Sequence, residues 1–168
     1  MKEDCAEIDL SEQINNPWSK DTSLAIKKKR TYFSVKIKGK DKNYLKSKFI
    51  RNVKTRADRK HNQQVIVIIY CFLLYHLLKI TEGLSREIKI CNDVSPTWAV
   101  NKNLDAICMI NKEILMTHRF RLRFKKKGDG NSKAHHIAKD VAKGRIPANI
   151  IFKKQHIEIL SGLIKKIM

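Results

Sequence analysis

The sequence predicts an α/β protein built on a mixed central sheet flanked by helices. Three observations carry that expectation. In R-E-I-K-I-C-N-D, residues 86–93, Ile88 and Ile90 alternate with charged residues, the period-2 pattern of a strand. The strand ends on the Asp93 carboxylate and runs straight into V-S-P-T-W-A-V, where Ser95 is placed to cap a helix and Pro96 to begin it. The second observation is a pair of further alternating stretches, residues 31–38 and 117–126, each with one apolar and one basic face. The third is an almost wholly apolar run over residues 65–78, too short at 14 residues to span a bilayer comfortably and carrying His76. It reads as a buried core helix, and His76 within it as a core histidine.

Taken in order, residues 3–12 are acidic, and C-A-E-I-D-L-S within them forms a short strand bearing Asp9. Asn15, Asn16 and Pro17 make a turn. Residues 22–26 form a second strand, and Lys27, Lys28, Lys29 and Arg30 a basic hairpin connection to the third. That third strand places Phe33, Val35 and Ile37 on one face and Ser34, Lys36 and Lys38 on the other. From residue 43 to about Gly83 the period becomes helical, basic at first (Arg51, Arg56) with Leu45, Phe49 and Val53 at four-residue spacing, then apolar. A break around residues 58–62 would divide this stretch into two helices. After the Asp93 strand, a helix runs from Thr97 to about Leu115, with Trp98, Leu104, Ile107, Cys108 and Ile114 inward. The strand over 117–126 carries Phe120, Leu122 and Phe124 opposite Arg119, Arg121, Arg123 and Lys125, and residues 126–131 form a turn with two glycines. Ser132 caps the next helix, whose buried stripe is Ala134, Ile137, Ala138 and Val141, and Gly144 ends it. An extended piece over 149–152 and an amphipathic helix over 156–168 complete the chain.

At 168 residues the chain reads as one domain, with a core over about 5–144 and an extension over 145–168. Apolar residues are 42%, which excludes a disordered tail. Against 16 acidic residues stand 36 Lys and Arg, a net charge of +20. Charge of that size, clustered as it is here, points to a polyanionic partner, nucleic acid first, although a lysine-rich proteome would leave a similar mark. The four cysteines form no C-x-x-C pair, so zinc has little support, and Cys71 and Cys108 read as buried thiols. An acidic start in place of a basic one argues against a signal peptide. A cytoplasmic protein without a membrane partner is the expectation; a homo-oligomer is compatible with it.

The order of elements, three strands, helix, strand, helix, strand, helix, resembles the ribonuclease H-like fold, shared by ribonucleases H, Holliday-junction resolvases, Argonaute slicer domains and several exonucleases. I-D-L-S at 8–11 resembles the first-strand Asp motif of that superfamily, and I-K-I-C-N-D-V-S at 88–95 its fourth strand, which ends on a second Asp. S-K-A-H-H-I-A-K-D-V-A at 132–142 is similar to its last catalytic helix, where an acid or a histidine supplies a third ligand. The resemblance implies that Asp9, Asp93 and Asp140 meet at one sheet edge and hold magnesium or manganese for phosphodiester cleavage of RNA, DNA or a hybrid.

The chemistry suits those residue types. Cleavage develops charge on attacking and leaving oxygens, which divalent cations held by a few carboxylates stabilise. Magnesium takes oxygen ligands and keeps several waters, so two or three carboxylates suffice. His136, and with it His135, could assist proton transfer or supply a ligand. The plainer roles are an acidic tail for Asp9, a helix cap for Asp93 and pairing with Lys139 or Lys143 for Asp140. Lys28, Lys29, Arg30, Arg51, Arg56, Arg119, Arg121, Arg123, Lys125 and Lys126 are the candidate phosphate contacts, and Tyr32 or Tyr44 could stack on a base. A metal-dependent nuclease is the leading expectation; a non-catalytic nucleic-acid-binding protein or ribonucleoprotein component is the alternative.

Overall fold

Branched and apolar residues at alternate positions build the first three strands, β1 (Ala6–Leu10), β2 (Thr22–Lys28) and β3 (Thr31–Ile37), as an antiparallel meander. The computed structural model describes residues 5–91, 93–94, 96–126 and 132–168. The Lys29–Arg30 turn joins β2 to β3, with Lys29 in the left-handed region at φ 55°. Two helices follow, α1 (Gly39–Phe49) and α2 (Arg56–Ile80), then β4 (Glu87–Ile90), α3 (Thr97–Ile110), a single turn α4 (Met116–Arg119), β5 (Arg121–Phe124), α5 (Ala134–Ala142), β6 (Ile150–Ile151) and α6 (Lys154–Ile167). The strands form one six-stranded mixed sheet in the order β5-β4-β1-β2-β3-β6. Only β2 runs against the others, since β4 is parallel to β1, β5 to β4 and β6 to β3. The C-terminal ends of five strands therefore lie at one end of the sheet.

The two faces of the sheet differ in chemistry. Ala6, Ile8, Leu10, Leu24, Ile26, Val35, Ile37, Ile88 and Ile90 point towards α2, whose residues from Val65 to Leu78 fill the core. The opposite face presents Glu7, Asp9, Ser23, Ala25, Ser34 and Lys36, the alternate positions of the same strands. It is covered over β1, β2 and β3 by α5, which is held by Ser23 Oγ donating to the Ala138 carbonyl and Lys36 Nζ donating to the Val141 carbonyl at 3.3 Å. Helix α2 is long and apolar enough to cross a membrane by composition, but its apolar stretch is packed inside the fold.

Several boundaries differ from those the periodicity predicts. The helical break lies over residues 50–55, ahead of Asp58: Thr55 caps α2, with Asp58 returning the bond in a capping box. Val53 consequently sits in the linker, exposed, and not on a helix face. Helix α3 stops at Ile110, and its buried face is Val100, Asn103, Leu104, Ile107 and Cys108. Trp98 lies two positions from Val100, about 200° around the helix, so it points to solvent with 66% exposure; Ile114, beyond the helix end, is also exposed. Residues 117–119 belong to α4, which shortens β5. Pro96 is the cap of α3 and not its first residue, and Lys133, not Ser132, occupies the cap position of α5. In α5, Ile137 is only half-buried beside Ala134, Ala138 and Val141. The Ser95 cap and most of the 126–131 turn fall outside the described residues. The stretch 145–168 completes the sheet through β6 and the core through Ile157, Leu160, Leu163 and Ile164.

One buried cation secures the start of α1. Lys42 is fully buried, and its ammonium donates to the Ile14 carbonyl at 2.9 Å, the Pro17 carbonyl at 3.1 Å and Thr22 Oγ1 at 2.7 Å. Burial pushes its pKa down to about 8, against the opposing pull of Glu12 and Asp21.

Candidate functional site

Adjacent parallel strands that end at the same level bring their last residues together, and β1 and β4 do this with acids. Ile8 pairs with Ile90, and the Cys91 N–H donates to the Ile8 carbonyl at 3.0 Å, which carries the β4 chain alongside Asp9. Positions 89, 91 and 93 share a face by the period of two, and it is the face on which Asp9 lies. Asp9, Cys91 and Asp93 consequently offer a carboxylate oxygen, a sulfur and a second carboxylate oxygen all within 4.8 Å of one another.

The surroundings organise this group. Asp9 is buried, accepts a bond from Ser132 Oγ at 2.8 Å and has His135 Nδ1 at 3.5 Å, both from the start of α5. Asp93 is pushed up to about 7, first by burial and then by the Asp9 carboxylate with which it shares a hydrogen bond; the Leu10 N–H works in the opposite direction. Its Oδ2 is buried without a hydrogen-bond partner among the described residues. The Cys91 thiol is raised to about 12 by burial and by Asp9, so it is a neutral thiol and a hydrogen-bond donor to that carboxylate. From the α2 side, Tyr70 contributes a fully buried hydroxyl that also lacks a hydrogen-bond partner among the described residues. Its pKa is raised well above the ordinary value, by burial first and then by Asp93, with Asp9 and Cys91 adding to the effect.

Of the residues singled out from the sequence, Asp9 and Asp93 come together. Asp140 does not join them: it lies five residues beyond His135, about 140° around α5 and about 7 Å along it. Its carboxylate meets Arg145 at 3.3 Å, in place of the Lys139 or Lys143 that spacing suggests. His135 reaches Asp9, while His136 is exposed on the next side of the helix. The sequence motifs do not single out Cys91, Ser132 or Tyr70 as site residues. The signal for Cys91 was its position two before Asp93 in a strand, which fixes a common side. Ser132 and Tyr70 enter from elements whose packing no local pattern encodes.

The basic residues divide by location. On β4 and β5 the face carrying Cys91 and Asp93 also carries Lys89, Arg121, Arg123 and Lys125, beside the α5 cover and not beneath it. Arg121 and Arg123 are exposed; Arg123 meets Glu87 at 2.7 Å and Lys125 meets Glu7 at 3.5 Å. Lys126 is exposed just beyond β5. Arg119 belongs to α4 and bonds Glu82. Helix α2 is about 37 Å long against about 23 Å for the longest strands, and it runs back from the strand C-terminal end. Its exposed first turns, with Arg56, and the linker bearing Arg51 stand at the same end as Asp9 and Asp93. Lys28, Lys29 and Arg30 lie at the opposite end, and Lys28 Nζ donates to the Leu84 carbonyl at 3.1 Å.

Compared with protein-family models, with curated proteins and with solved structures, the chain matches none.

Proposed function

We propose that the chain is a divalent-metal-dependent nuclease of ribonuclease H-like architecture, acting on RNA, DNA or a hybrid. The observation that carries this reading is the meeting of Asp9 and Asp93 at the ends of two adjacent parallel strands, in a protein of net charge +20. The element order, with three strands ahead of the first helix, an acid on the first strand and another just past the end of the fourth, supports it further. The donor set fits a hard cation. Two carboxylates converge and an Asp93 oxygen has no other partner among the described residues, which suits a hard, oxygen-seeking cation such as magnesium or manganese. Such a cation supplies stabilisation of the charge developing on the reacting phosphate. The protein's own residues do the rest: Ser132 orients Asp9, His135 stands where a proton can be passed, and Arg121 and Arg123 offer phosphate contacts on the open face.

A cleavage assay with magnesium or manganese on RNA, DNA and hybrid substrates tests the reading, with Asp93→Asn alongside. Cleavage by the parent, lost in the variant while nucleic-acid binding persists, is the expected result. One observation favours a binding-only protein: the third acid, Asp140, faces Arg145 and not the two carboxylates. A parent that binds but never cuts under either metal decides for that alternative.

A further inference from the structure

At the far side of the sheet from β5, the C-terminal ends of β3 and β6 and the starts of α1 and α6 enclose a groove of about 630 Å³. Lys38, Lys40, Lys153 and Lys154 form its rim, all exposed. Its lining is otherwise apolar, with Tyr44, half-exposed, Ile151 and the buried Phe152 and Ile157. Asp41 and Glu158 also border it, and Glu158 approaches Lys154 at 3.9 Å, which leaves a net charge of two positive among the lining residues. Lys40 and Lys153 make no ion pair among the described residues. Cations around an apolar floor match a ligand that is anionic on one side and flat and apolar on the other. A phosphate alone would leave the floor unused, and an acidic peptide would offer it no planar surface. A nucleotide with an unpaired base satisfies both.

The groove stands at the same end of the sheet as Asp9 and Asp93, because β3 and β6 run parallel to β1 and β4. Three strand spacings separate the β1–β4 and β3–β6 pairs, a distance of about 14 Å across the sheet end. We propose that this groove seats an unpaired segment of a nucleic-acid strand, its phosphates on Lys40 and Lys153 and a base on Tyr44. The inference rests on the nucleic-acid reading above and adds to it a requirement for single-stranded substrate at this distance from the acids. In a duplex the bases are stacked inside, where Tyr44 cannot reach a face; in a single strand base–aromatic stacking is available at every nucleotide.

The test is fluorescence anisotropy with a labelled 12-nucleotide oligothymidylate and its duplex counterpart, in EDTA at low salt. Each variant is checked for parental circular dichroism and melting temperature. Lys40→Glu/Lys153→Glu is expected to weaken single-strand binding tenfold or more, by removing about two phosphate contacts. Tyr44→Ala should weaken it about tenfold while leaving the duplex within about twofold, and Tyr44→Phe should restore it. If the folded groove variants bind the single strand like the parent while Arg121→Ala/Arg123→Ala weakens it, the groove assignment fails and the nucleic-acid reading stands. A parent that binds neither single strand nor duplex sinks both. A 12-residue polyglutamate that competes as well as the oligonucleotide would overturn the assignment in favour of an acidic protein partner.

Discussion

Replacing Asp93 by Asn probes the carboxylate pair without depending on any substrate. Asp93 ordinarily titrates near 3.8, and in the fold, burial and the neighbouring Asp9 raise it to about 7. Because the folded value lies above the unfolded one, the contribution is fully present below about pH 4 and is lost as pH rises through about 7. At about 1.4 kcal/mol per pH unit, the loss amounts to about 4 kcal/mol by pH 8 in the metal-free protein. Asn cannot ionise, so Asp93→Asn escapes that loss. In urea titrations in EDTA the variant should be more stable than the parent by up to about 4 kcal/mol at pH 8, with the difference closing towards pH 4.5. Adding manganese should close most of that gap at pH 8: at a hundredfold excess over its dissociation constant a bound cation stabilises the parent by about 2.7 kcal/mol, and the variant, missing a ligand, by much less. Parallel pH–stability curves for the two proteins would show that Asp93 is not paired with Asp9 as described. A metal response equal in both would remove Asp93 from the proposed ligand set.

Other outcomes follow from the same geometry. If about five phosphates are neutralised, log affinity for duplex DNA should fall with log salt at a slope of about −4 to −5. Arg121→Ala/Arg123→Ala on the open face should flatten that slope by about 2, and Lys29→Ala/Arg30→Ala, at the opposite end, should leave it unchanged; equal effects would contradict the placement. Lys42→Met leaves two carbonyls and a hydroxyl without their buried donor and should cost about 3 kcal/mol or more in urea denaturation. Because the folded pKa of Lys42 is depressed to about 8, the parent should gain stability between about pH 8 and 10.5, a gain absent from the variant. A Cβ at Gly39 would stand 1.9 Å from the Ser19 carbonyl oxygen, a backbone atom, so Gly39→Ala should lower stability by about 1–3 kcal/mol; an unchanged denaturation midpoint would show that the 15–21 loop yields freely.

What could be read in the sequence was what local periodicity encodes. Ile88 and Ile90 marked β4, Phe33, Val35 and Ile37 marked β3, and the unbroken apolar run marked the helix most deeply packed. The failures came where two patterns compete or where a partner is distant. Thr55 and Asp58 form a capping box, so the helix starts ahead of the break expected around residues 58–62. Trp98 and Ile114 look like core residues by type, yet α3 meets α2 through a stripe that includes Asn103, which donates to the Ala99 carbonyl and accepts from Gln64. The joining of Asp9 to Asp93 was legible from strand-end positions and the resemblance together. That Asp140 turns to Arg145 depends on the rotational phase of α5, and a shift of one residue, from His136 to His135, changes which histidine meets Asp9.

The unequal faces of the sheet also assign different lifetimes to the parts of the site. Helix α2 buries twelve side chains in the core, whereas α5 buries only Ala134, Ala138 and Val141 against a polar strand surface. Little apolar area secures α5, so it can lift away at a free-energy cost well below that of global unfolding. Such an opening would carry Ser132 and His135 off Asp9 while β1 and β4 remain paired. Amide hydrogens of α5 should then exchange orders of magnitude faster than those of α2. The acids would belong to the slowest-opening part of the molecule, and the groups that orient them to one of the fastest.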